Sequence, residues 1–78
     1  MNSLVLNKSK KAIDILFSND KLIVVLEDGR ELSVPLEWFP RLRNATLSQL
    51  NKWRLIGNGE GVHWEEIDED LLVENLLA

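Results

Sequence analysis

Residues 12–34 read AIDILFSNDKLIVVLEDGRELSV, and this stretch decides the fold. In Ala12–Ser18 the apolar residues alternate, with Ile13, Ile15 and Phe17 predicted on one face of a strand. Asn19-Asp20 suits a tight turn, because both residue types tolerate left-handed backbone angles. Lys21–Glu27 follows as a second strand. Leu22, Val24 and Leu26 point one way, Ile23 and Val25 the other, so the strand is central in a covered sheet or part of an interface. Asp28-Gly29 is the strongest hairpin signal, read as a type I′ turn with positive φ at both central positions. Arg30–Val34 returns with Leu32 and Val34 inward, and Pro35, which has no N–H for a ladder, ends it. The expectation is a three-stranded antiparallel meander.

On the N-terminal side, residues 1–11 lack an apolar period and are expected to form a flexible lead-in, leaving 12–78 as a single small α+β domain. On the C-terminal side, Pro35–Pro40 is rigid and bulky and is expected to drop Trp38 and Phe39 onto the sheet. Thr46-Leu47-Ser48-Gln49 has the form of a capping box, in which the Thr hydroxyl and the Gln side chain each satisfy the other residue's backbone N–H. The predicted helix runs from there to Leu55 or Ile56 and stops at Gly57. At about 100° per residue, Leu47, Leu50, Trp53 and Ile56 share one half of its surface. Arg54 falls within that apolar stripe, where a guanidinium needs a carboxylate or a route to water, so an ion pair with Asp68 or Asp70 is expected. Val62-His63-Trp64 is a short strand candidate, and 71–77 a strand, a helix, or one followed by the other. The fold class predicted is α+β: a small antiparallel sheet, the meander plus a short C-terminal strand, packed against one short helix.

Composition narrows the chemistry. The 78 residues include no Cys and one His, which removes disulfides, thiol nucleophiles and Cys-based zinc sites. The apolar fraction of 45% is sufficient for a core, and no apolar run approaches a membrane span, so a globular, cytoplasmic protein without membrane association is expected. The net charge of −4 is unevenly distributed. Residues 1–54 hold all nine Lys and Arg against six acids, a balance of +3, whereas 55–78 hold seven acids and no Lys or Arg. Two readings follow: internal neutralisation, or an acidic segment that meets a basic partner.

Four stretches are candidates for chemistry. Gly57-Asn58-Gly59-Glu60-Gly61 lies between a helix and a strand, the reverse of a dinucleotide loop, and lacks a Lys, so no cofactor is expected. His63 could act as an acid or base oriented by Asp68, Glu69 or Asp70, but no second His or Cys completes a metal site and no nucleophile elbow is present. No catalytic or metal residue is therefore expected. Asp68-Glu69-Asp70 lacks the spacing and glycine of a calcium loop. Arg41, Arg43, Lys52 and Arg54 with Trp38 and Trp53 resemble a basic-aromatic surface, yet the net negative charge argues against direct nucleic-acid binding.

Taken together, Asp28-Gly29-Arg30, Pro35-Leu36-x-Trp38-Phe39-Pro40-Arg41-Leu42, Ala45-Thr46, Trp53–Gly57 with Gly59 and Gly61-Val62-His63-Trp64, and Ile67–Leu71 resemble the bacterial domain of unknown function family 2442 over about residues 12–78. The resemblance implies a small α+β domain with an antiparallel sheet. Some relatives carry a DNA-binding helix-turn-helix beyond it, for which 78 residues leave no room. Others stand beside a small partner protein in an arrangement similar to a toxin–antitoxin pair. The expectation is a non-enzymatic interaction module, antitoxin-like or an accessory subunit, whose partner is a small basic protein encoded by a neighbouring gene. Its docking residues are predicted to be Glu65, Glu66, Asp68, Glu69, Asp70, Leu71, Leu72, Leu76 and Leu77. The alternatives are a homodimer burying Ile23, Val25 and the C-terminal leucines, or a small enzyme centred on His63.

Overall fold

The computed structural model describes residues 8–77. Strands β1 (Ala12–Ser18), β2 (Lys21–Leu26) and β3 (Glu31–Pro35) form an antiparallel sheet in that order. The predicted meander is therefore present, with two local differences. Ala12 faces Leu26 and Asp14 faces Val25, so Ile13 is an extra residue in β1. This bulge turns Ile13 outward and sends Ala12 into the core in its place. The second difference is at Asp28-Gly29, where only Gly29 has positive φ (96°). Leu26 N–H donates to Arg30 O at 2.8 Å, and Gly29 N–H donates to Leu26 O at 3.0 Å. The result is a three-residue loop closed by a glycine bulge rather than a type I′ turn.

A 3-10 turn at Leu36–Trp38 and a single helical turn, α1 (Pro40–Arg43), follow. They bury Leu36 and Leu42, and Phe39 packs on the core, but Trp38 remains 64% exposed instead of covering the sheet. Next comes α2 (Leu47–Leu50). Its capping box is complete: Thr46 Oγ1 accepts from Gln49 N–H at 3.1 Å, and Gln49 Oε1 accepts from Thr46 N–H at 3.0 Å.

The helix predicted to reach Leu55 or Ile56 ends after this one turn. Trp53–Ile56 is instead strand β4, paired with β5 (Gly61–Trp64), which in turn pairs with β6 (Glu69–Leu72). The physical reason lies in Arg54. A helix places it in an apolar stripe, whereas a strand turns Trp53 and Leu55 inward and Arg54 out to water. The fold is thus α+β, as expected, but with two three-stranded sheets in place of one sheet packed against a single short helix. The C-terminal stretch is a strand followed by a short helix, α3 (Val73–Leu77).

Both sheets share one core. Leu22, Val24 and Leu26 of β2 meet Val62 and Trp64 of β5, with Leu42, Leu50, Leu71 and Val73 around them. Trp64 is fully buried, lies edge-on to Phe17 with ring centres 6.4 Å apart, and donates its indole N–H to Leu50 O at 3.1 Å. One side chain therefore joins β5 to β1 and α2. Gly59, with φ of 94°, comes so close to β1 that a Cβ would lie 2.5 Å from Ala12 O. Part of the lead-in is also held. Ser9 N–H donates to Asp28 Oδ2 at 2.7 Å and Lys11 O accepts from Glu27 N–H at 2.9 Å, while residues 1–7 of that expectation lie outside the described residues. No helix among the described residues is long and apolar enough to cross a membrane.

Candidate functional site

The register of the second sheet sets Arg54 opposite His63 and His63 opposite Asp70. Three charged or titratable side chains therefore stand in a row across β4, β5 and β6, on the face away from the core. His63 Nδ1–H donates to Asp70 Oδ1, and His63 Nε2 lies 3.5 Å from Glu65 Oε1. The same Glu65 oxygen is 3.3 Å from Arg54 Nη2, so one carboxylate bridges the guanidinium and the imidazole. The His63 side chain is only 18% exposed, covered by the residues that flank it in the row.

The turn between β5 and β6 carries the other acids. Glu66 meets Lys52 at 2.6 Å, and the Lys52 ammonium holds its carboxyl below the usual glutamate range by hydrogen bond and charge. Asp68 takes a left-handed backbone (φ 51°), and its carbonyl accepts from Arg41 Nη1 at 2.6 Å. Arg54 thus joins the acidic segment as expected but through Glu65 rather than Asp68 or Asp70, because the strand register puts Asp70 beside His63 and the turn puts Asp68 beside Arg41. These pairs are largely exposed, and screening by water keeps each of them weak.

The nine residues predicted to dock a partner divide into two groups. Glu65, Glu66, Asp68, Glu69 and Asp70 lie on or beside the turn, with Asp68 93% exposed, and Leu72 is half exposed at the other end of β6. Leu71 is buried in the core, and Leu76 and Leu77 pack against it. This corrects the leucine-rich docking end at Leu71, which the core takes up, while Leu76 and Leu77 are half-buried against the core. Beside Leu72 a hollow of about 250 Å³ is lined by Lys10, Glu60 and Glu74, and Lys10 is paired with Glu74 at 2.9 Å. That partner raises the Lys10 pKa.

Sequence reasoning missed the exposure of Trp38, Leu47 and Ile13. Ile13 carries no local signal of its exposure, since the bulge inverts the alternation of β1 at that residue. Among the described residues, no group of three or more His, Asp or Glu is placed to hold a metal ion.

The comparisons with known proteins agree with this architecture. A family model described as a protein of unknown function (DUF2442) matches residues 12–78. A crystal structure of a protein of unknown function from Rhodospirillum rubrum ATCC 11170 is similar at a TM-score of 0.73 and 30% identity, over 86% of this chain and 83% of that one. No curated protein matches the chain.

Proposed function

This chain belongs to the DUF2442 family of proteins of unknown function, and from that premise we propose that it is a non-enzymatic protein-interaction module, an antitoxin-like or accessory subunit of a two-gene system. Its partner is a small basic protein encoded by a neighbouring gene. The setting proposed is the cytoplasm, with which a chain lacking cysteine is compatible.

The observation that supports this reading is the ridge formed by the β5–β6 turn. It presents Glu65, Glu66 and Asp68 to solvent through exposed ion pairs. Such pairs are weak enough for a partner's cations to replace those of this chain. A negative rim of this kind suits a basic surface on the partner. His63 fits a supporting role better than a catalytic one. The nitrogen that would accept a substrate proton, Nε2, faces Glu65, and the other nitrogen is engaged by Asp70.

The test is co-expression of the tagged full chain with the product of the adjacent gene. A complex is expected that weakens as salt rises and is disrupted by Glu65→Lys with Asp68→Lys. No complex at micromolar concentration overturns the proposal.

A further inference from the structure

The outward face of the first sheet has a composition that matches itself. Alternation along the three strands brings Asp14, Leu16 and Ser18 of β1, Val25, Ile23 and Lys21 of β2, and Glu31, Ser33 and Pro35 of β3 to this face. The cross-strand rows are Asp14–Val25–Glu31, then Leu16–Ile23–Ser33, then Ser18–Lys21–Pro35. Asp14 and Glu31 stand at one end, the middle is apolar, and Lys21 stands at the other end, with Asp20 of the β1–β2 turn beyond it. Leu16 is 45% exposed, and Ile23 and Val25 beside it are half-buried.

The charges here are also unspent. Elsewhere Arg30, Arg41, Arg43, Lys52, Arg54 and Lys10 each meet a carboxylate of this chain. Among the described residues, Asp14, Lys21 and Glu31 take part in no ion pair.

We propose that this face binds a second copy of the chain, sheet against sheet, about a two-fold axis running across the strands along the Leu16–Ile23–Ser33 row. A two-fold contact uses the same patch twice. Rotation about that axis exchanges the two ends of the face, so the Lys21 end of one copy lies over the Asp14 and Glu31 end of the other. Sheets packed face to face stand about 10 Å apart, within reach of a lysine side chain laid over Val25. Leu16 and Ile23 of the two copies close the centre. No other two-fold orientation of the face brings both charged ends together with opposite sign while keeping the apolar rows in register.

The patch is small. Three strands spaced by about 4.8 Å and three alternate residues along each cover roughly 200–300 Å² per copy. That is well below the ~800 Å² per partner of a standard interface, so the dimer is weak and reversible, with Kd in the high micromolar range. The face is separate from the acidic ridge of the second sheet, so either surface can fail its test alone.

Sedimentation velocity of the full chain over a dilution series reads the equilibrium directly. The proposal expects a monomer–dimer equilibrium weakened about tenfold by Lys21→Glu, because that change places like charges at two symmetric contacts. The triple exchange Lys21→Glu, Asp14→Lys, Glu31→Lys is expected to restore dimerisation to near the original strength, and Ile23→Asp to abolish it with the far-UV spectrum unchanged. A chain that stays monomeric up to about 1 mM overturns the proposal and leaves the face to a different protein or to water. Dimerisation indifferent to Lys21→Glu, or not restored by the triple exchange, also overturns it.

Discussion

Asp28 shows how much one residue organises in so small a protein. Its carboxylate accepts from Arg30 N–H at 3.0 Å, Ser9 N–H at 2.7 Å and Arg30 Nε at 3.0 Å, so it closes the β2–β3 loop and pins the chain entering β1. Those hydrogen bonds, the backbone ones foremost, hold its carboxyl below the ordinary aspartate value of 3.8. A depressed carboxyl contributes stability that is present above the unfolded value and is lost as pH falls through the folded one. Stability of the native chain is therefore expected to decline as pH drops below about 4, and Asp28→Asn, which keeps the turn chemistry but not the charge, to flatten that decline. Urea denaturation followed between pH 7 and pH 2.5 checks it. The turn was legible in Asp28-Gly29, whereas the tether to Ser9 joins residues 19 apart in sequence and left no local pattern to read. Ile13 makes the same point from the opposite side. Its period matched the core face, and a single bulge reversed it.

At the scale of elements, the capping box at Thr46–Gln49 and the strand at Trp53–Ile56 both have a local pattern, but the helical period of the first overlaps the strand period of the second. Thr46, Leu47 and Leu50 satisfy a helical pattern for one turn. Beyond it, Trp53, Leu55 and Arg54 satisfy the period of a strand, and an arginine in an otherwise apolar helical stripe was the sign that the helical period had been carried too far. The glycine turn after β4 serves packing. Gly57 and Gly59 have φ of 58° and 94°, and Gly59 lies against the backbone of Ala12. Gly59→Ala would combine a left-handed backbone with a methyl group 2.5 Å from a carbonyl oxygen. A loss of about 2–4 kcal/mol is expected, measurable by chemical denaturation, because the element that must yield is backbone rather than a flexible side chain.

At the scale of the whole molecule, the two sheets cannot be treated as separate units, since Trp64 is fully buried between them and touches both Phe17 and Leu50. Trp64→Phe leaves the buried carbonyl of Leu50 without its donor and opens a void beside Phe17, which is expected to cost about 2–4 kcal/mol. The loss should appear as one cooperative transition, with far-UV circular dichroism and tryptophan fluorescence coincident in midpoint for both the native chain and the variant. Two separated transitions would contradict the shared core. The sequence by itself determined the meander, the helix cap, the glycine turn and the absence of thiol chemistry. Each of these depends on neighbours within a few residues or on composition. Only the tertiary structure decided that Trp53–Ile56 is a strand, that Leu71 turns inward, and that Glu65 rather than Asp68 or Asp70 receives Arg54. Those outcomes depend on strand register and on which surfaces the two sheets cover for each other, and a shift of one residue in register exchanges every inward side chain for an outward one.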